Sequence, residues 1–229
     1  MSVFCRDNVR KFVRVSLLRP QKEEWLNAAT HGCGLLLAVA ASFWIVTRLQ
    51  QLPSWPAAVG TACIVYCLSL LGLYLASTLS HVFTQGHWHD RFRRLDQAFI
   101  YLLILGTYSP LAAMFFQSTT AWVLFAAMWA LAIIGFVSKT WFSYRVEQVS
   151  IAIYLILGWA PALIGFPLGD EAVKSELYWM IAGGGVYCAG IVFLLLDKRV
   201  WFFHGIWHLF VVGGSAIHFY TIARLIFGA

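Results

Sequence analysis

Long apolar runs separated by short polar breaks dominate the chain. Seven runs approach the roughly 20 residues that a helix needs to cross a bilayer. They cover 25–47, 57–82, 96–116, 120–138, 148–167, 177–196 and 203–226. Breaks such as Gln50-Gln51-Leu52-Pro53-Ser54, Gln117-Ser118-Thr119-Thr120 and Gly169-Asp170-Glu171 separate them. His87-Trp88-His89 falls in the break after the second run and reads as a solvated or interfacial loop. Pro110 and Pro161 sit inside runs, where membrane helices tolerate proline as a kink. Residues 1–22 differ from the rest. Arg6, Asp7, Arg10, Lys11 and Arg14 share one side of a helical wheel, and Val9, Phe12, Val13 and Ser16 share the other, until Pro20 breaks the pattern. That segment reads either as an amphipathic helix on the membrane surface or as a disordered basic tail. Residues 23–229 read as one all-α domain, a seven-transmembrane helix bundle, without internal repeats.

Composition agrees with this pattern. Hydrophobic residues make up 61% of the 229 residues and charged residues 11%, against about 25% charged in a soluble domain. No room is left for a separate soluble domain. The first apolar run is followed by no small-residue cleavage site, so it is expected to act as an uncleaved anchor. Tryptophans such as Trp25, Trp55, Trp122, Trp141, Trp179 and Trp201 fall near run ends, as in an interfacial aromatic belt. The five cysteines, Cys5, Cys33, Cys63, Cys67 and Cys188, form no C-x-x-C pair and no disulfide framework. Cys63 and Cys67 lie one helical turn apart, as a soft-metal pair or, more simply, as small packing residues.

The net charge of +6 is read as a cytoplasmic lipid-facing surplus rather than a nucleic-acid footprint. Thirteen of the sixteen lysines and arginines fall on alternate loops together with the N-terminus; only Arg48, Lys174 and Arg224 fall on the others. The expected topology is therefore N-terminus cytoplasmic, C-terminus extracytoplasmic, with an odd number of spans in a bacterial-type cytoplasmic membrane.

Topology gives the polar residues a depth. Glu24, Asn27 and His31 in run 1, His81 ending run 2, Asp96 opening run 3, and His204 and His208 opening run 7 all fall in the cytoplasmic leaflet. Ionisable groups inside a bilayer are costly and usually functional. His204 and His208 lie four residues apart, on one helical face. With His81 as a third imidazole they make a candidate zinc site with an open fourth position, the catalytic pattern. Asp96 is then a general base or an orienting group, unless it merely pairs with Arg93 or Arg94. Ser77, one turn before His81, is placed to contact water or a substrate carbonyl. His31 is either a group behind the ligands or a packing residue. His218 lies on another face of the last run and is not expected to ligate.

These residues carry a likeness. Glu24-x-x-Asn27 with Thr30-His31-Gly32, Ser77-x-x-x-His81, Asp96 with Ile100-Tyr101 and Gly106-Thr107-Tyr108-Ser109-Pro110, and His204-x-x-x-His208 stand in order over residues 24–219. The chain resembles the hemolysin III branch of the progestin and adipoQ receptor (PAQR) family. The resemblance implies seven helices with an internal N-terminus, zinc held by His81, His204 and His208, and Ser77 and Asp96 beside it. The short N-terminal segment is like that of the small bacterial members, which are linked to membrane fluidity homeostasis. Some relatives in a wider superfamily are ceramidases. Three readings follow: a zinc-dependent hydrolase of a lipid amide or ester, a membrane-state sensor or lipid receptor with structural zinc, or a pore or transporter. The last has little support, because no repeat halves or mid-membrane charge pairs are present.

Overall fold

The computed structural model describes residues 21–51, 56–141, 147–163 and 171–228. The basic segment 1–20 lies outside the described residues. Seven helices and no strand are found among them: α1 (Gln21–Gln51), α2 (Ala57–Val82), α3 (Gly86–Phe115), α4 (Thr119–Trp141), α5 (Glu147–Leu163), α6 (Glu171–Leu196) and α7 (Phe203–Phe227). Six are long and apolar enough to cross a membrane; in α5 the apolar stretch, Ser150–Pro161, is shorter. The outward faces carry residues such as Leu36, Phe43, Val123, Ile134 and Leu195. Large apolar side chains on the outside of every long helix are what a lipid solvent requires. The chain is a multi-pass membrane protein.

α1, α3, α4 and α6 are longer than their apolar runs, because a helix continues through the headgroup region after hydropathy fades. The largest difference is at α3, which starts at Gly86 rather than near Asp96. His87-Trp88-His89 is therefore the first turn of a helix and not a loop. Gly86 makes the reversal out of α2 with φ of +81°, a conformation that favours glycine. His89 Nδ1–H then donates to the Phe83 carbonyl at 2.7 Å and lies 3.0 Å from that of Ser80, covering two terminal acceptors of α2.

α1, α2, α3, α5, α6 and α7 enclose a central cavity, while α4 packs mainly against α3 and adds Lys139 to the lining. α2–α3 and α6–α7 are the most closely packed pairs. Small residues allow this, as is usual between membrane helices. A Cβ on Gly190 of α6 would lie 2.6 Å from the Phe210 side chain and 2.8 Å from that of Trp207, both on α7. Pro110 is buried inside α3. In α5, one turn before Pro161, the Gly158 carbonyl accepts the Tyr108 hydroxyl at 2.6 Å, a bond that ties α3 to α5 beside the proline. Cys63 and Cys67 are both buried in the apolar core of α2 and unbridged.

Candidate metal centre

α2 ends, α3 begins and α7 begins at one end of the bundle, and the chemistry gathers there. His204 and His208 are one turn apart on α7, with ring centroids 4.6 Å apart; the His81 ring of α2 is 5.2 Å from the first and 5.0 Å from the second. One ligand atom from each of the three lies within 4.8 Å of the others, an arrangement that could hold a metal ion. The His81–Asp96–His204–His208 neighbourhood opens into the central cavity.

Each imidazole is oriented from behind by its Nδ1. His81 Nδ1–H donates to Glu24 Oε2 of α1 at 2.6 Å. His204 Nδ1–H donates to Asp197 Oδ2, in the turn before α7, at 2.8 Å. His208 Nδ1 lies 3.1 Å from Thr30 Oγ1 and 3.3 Å from the Asn27 carbonyl, both on α1. The Thr30 hydroxyl spends its own hydrogen on the Asn27 carbonyl at 2.9 Å, so toward His208 it accepts. Carboxylate and carbonyl oxygens cannot donate, so all three rings are assigned the Nδ1–H tautomer. With Nδ1 so committed, each ring's other nitrogen, Nε2, is the one that could face a shared centre. His81 Nε2 is buried with no protein partner, as suits an atom reserved for an ion.

Local structure explains these placements. Gly205 lies between the two α7 histidines, and a Cβ there would sit 3.1 Å from Asn27 Oδ1. Its absence lets α7 approach α1 closely enough for His208 to reach the Asn27 carbonyl. The α6–α7 turn ends at Phe202, which has φ of +66°, a region costly for a side chain of that size. Its N–H donates to Glu23 Oε1 at 3.3 Å. Strain of this kind collects at functional sites, and here it lies between Asp197 and the histidine that Asp197 orients.

The remaining expected residues surround the three rings. Ser77 is fully buried, with its Oγ 2.6 Å from His31 Nδ1. Asp96 lines the cavity, and Ser77, His81 and Arg93 act on its carboxylate. His31 stacks on His208 with ring centroids 3.6 Å apart and an interplanar angle of 16°. It is therefore joined both to a candidate ligand and to Ser77. His218 lies apart from the cluster and donates Nε2–H to the Met180 carbonyl at 3.0 Å. Sequence reasoning missed Asp197, named Thr30 only as part of a motif and without a role, and placed Glu24 at the right depth without a partner. Asp197 precedes Lys198 and Arg199, and in a charged loop it carried no separate signal.

Above the cluster the cavity becomes apolar. Leu103 and Ile104 of α3, Leu155 and Trp159 of α5 and Met180 of α6 line it, as far as His218 on α7.

A polytopic helical membrane protein with carboxylate-backed histidines at one end of a lipid-sized bundle is the class these features define. Within that class the chain belongs to the haemolysin-III related family, whose model matches residues 20–219. It is 37% identical over 201 residues to Hemolysin-3 of Bacillus cereus, covering 88% of this chain and 90% of that protein. It is 35% identical to the Hemolysin-3 homolog of Bacillus subtilis (strain 168), covering 88% and 93%. It is also 28% identical to the human Monocyte to macrophage differentiation factor, covering 90% and 85%.

Proposed function

We propose that the protein is a zinc-dependent hydrolase of a lipid amide or ester, serving membrane-lipid homeostasis in a bacterial cytoplasmic membrane. The observation that carries this reading is the orientation of the imidazoles. Three Nδ1–H groups are committed to acceptors, and the three imidazoles gather within metal-binding reach of one another in the lining of a mostly apolar cavity. Neutral imidazole suits zinc, and three protein ligands is the number found in catalytic rather than closed sites. His81, His204 and His208 would hold the ion, with Glu24, Asp197 and Thr30 fixing their rings. Zinc in such a site supplies Lewis acidity toward a carbonyl oxygen and brings the pKa of water to about 7.

The other steps fall to the chain's own residues. The apolar walls at Leu103, Ile104, Leu155 and Trp159 seat an acyl chain and exclude water. Asp96 takes the proton from the attacking water and returns it to the leaving amine or alcohol as the acyl C–N or C–O bond breaks. Ser77 and His31 hold that carboxylate's side of the site. We further propose that α5 is the seventh span and that the N-terminus is cytoplasmic, as the lysine and arginine distribution supports. The site then lies in the inner leaflet.

The purified protein should contain zinc and release fatty acid from a long-chain N-acyl amide or ester. His208→Ala should do neither. Equal turnover by His208→Ala would reject the hydrolase.

One feature favours a second reading, a sensor in which zinc is structural. The ligands and their orienting groups come from α1, α2, the α6–α7 turn and α7, so a bound ion would fasten four elements and supply folding energy. That reading expects chelation to lower the melting temperature while no lipid tested is hydrolysed.

A further inference from the structure

Beyond its apolar stretch the cavity becomes polar again. His218 of α7 and Tyr187 of α6 both line it, with ring centroids 5.5 Å apart. From His208 to His218 the helix rises about 15 Å, so this pair lies well away from the three gathered imidazoles. Close packing of α6 on α7 places it there. A Cβ on Gly214 of α7 would meet the Tyr187 ring at 2.7 Å, and one on Gly183 of α6 would meet the His218 ring.

Each member of the pair has one hydrogen-bonding group to spare. His218 Nε2–H is given to the Met180 carbonyl at 3.0 Å. A neutral imidazole carries one donor and one acceptor, so Nδ1 is left as the acceptor. It meets no donor among the described residues. On the other side three hydroxyls stand in a row. The Tyr74 hydroxyl donates to Ser215 Oγ at 2.9 Å, and Ser215 Oγ lies 2.7 Å from the Tyr187 hydroxyl. Three hydroxyls joined by two bonds leave one hydrogen over. With Tyr74 and Ser215 each donating along the row, the hydrogen left over is that of Tyr187, the member that lines the cavity. A spare donor and a spare acceptor therefore share one stretch of wall. Leaving such groups unmet is costly, and a single hydroxyl, which both donates and accepts, satisfies the two together.

We propose that this pair is a subsite for a hydroxyl carried in the middle of a long acyl chain. Tyr187 donates to the hydroxyl oxygen, and His218 Nδ1 accepts the hydroxyl hydrogen. An extended chain of single bonds advances about 1.2 Å per bond, as in a fully extended peptide with three backbone bonds per residue. The rise of about 15 Å then corresponds to about 12 bonds. A chain whose carbonyl end lies at the imidazoles brings a hydroxyl near its twelfth carbon to Tyr187 and His218. The apolar wall between takes the methylene groups. A chain of methylenes alone would cover both polar groups without satisfying either. This subsite rests on the reading of the cavity as the seat of an acyl chain, and it narrows that chain to a hydroxylated one whether or not hydrolysis occurs.

The test is native mass spectrometry of the full chain in detergent, titrated with 12-hydroxyoctadecanoic acid or with octadecanoic acid. The hydroxylated acid should bind about 25-fold more tightly, at about fivefold for each of two net hydrogen bonds. Tyr187→Phe should reduce that preference to about fivefold, and Tyr187→Phe/His218→Phe should abolish it. Tyr108→Phe removes a cavity hydroxyl already given to the Gly158 carbonyl and should leave the preference unchanged. The two acids are compared within each variant, so a general loss of binding cancels, and Tyr187→Phe alone decides if the double variant fails to fold. Equal affinity for the two acids would overturn the proposal, with water serving the pair, and would leave the acyl-chain seat standing. A preference that Tyr187→Phe leaves intact, or that Tyr108→Phe removes equally, would overturn it as well. Binding of neither acid would overturn both the subsite and the seat. Because the readout is binding, absence of lipid turnover would reject the hydrolase and leave this subsite in place.

Discussion

α7 carries two buried histidines, His208 and His218, about 15 Å apart along its axis at 1.5 Å per residue. The helix presents both to the interior, and both line the same cavity, yet they are built differently. His208 spends its Nδ1–H on α1, stacks on His31 and shares its neighbourhood with two more imidazoles. His218 spends its Nε2–H on the Met180 carbonyl of α6, its ring 5.5 Å from that of Tyr187. The first arrangement frees one nitrogen toward other donors; the second joins two helices with a hydrogen bond, as polar residues commonly do in membranes. Burial alone does not distinguish a ligand from a strut. What distinguishes them is which nitrogen is already committed, and whether the remaining one has company.

The contrast between ligand and strut can be tested directly. The largest effect is expected from exchanging the two positions: His208→Ala should abolish stoichiometric zinc, while His218→Ala should retain it, as read by elemental analysis of the purified chains. Retention in both would remove the cluster's claim to a metal. Next come the groups behind the rings. Asp197→Asn and Glu24→Gln should each weaken zinc binding by about 10–100-fold, the usual cost of losing such a partner, measured by competition with a chromophoric chelator. Unchanged affinity would mean that the carboxylates serve the fold alone. The strut should respond in stability instead. His218→Ala removes the bond that joins α7 to the Met180 carbonyl, which keeps its own helical donor, and should cost about 0.5–1.5 kcal/mol, seen as a lower melting temperature with zinc content unaltered. Gly183→Ala should act on the same contact, since its Cβ would meet the His218 ring at 2.3 Å; overpacking of this kind costs about 1–3 kcal/mol. The smallest change is expected from Thr30→Val, because the Asn27 carbonyl still faces His208; a few-fold loss of zinc affinity would suffice.

Much of this contrast was legible along the chain, for a physical reason. Helical spacing places His204 and His208 on one face, and the alternation of basic loops puts His81 and Asp96 at the same end. Both inferences need only periodicity and a lipid solvent. The exclusion of His218 as a ligand rests on the same spacing and agrees with its bond to Met180. Elements whose role depends on partners distant in sequence were less visible. Asp197 reads as part of a charged turn until the turn folds back on His204. The start of α3 was hidden because hydropathy reports where a helix meets lipid, not where its hydrogen bonding begins. His87 and Arg91 therefore looked like loop residues, although they belong to a continuous helical row with Arg94.

The strained turn before α7 has a consequence for how such a chain can vary. Connecting segments on a protein surface usually accept insertions and deletions. This one acts as a gauge. Asp197 stands at its start and His204 just beyond its end, and the bond between them requires that both arrive at fixed angles. One added residue would turn the start of α7 by about 100° relative to α6, swinging His204 away from its carboxylate while leaving the helices themselves intact. The length of this turn, more than its composition, is then what natural variants must preserve.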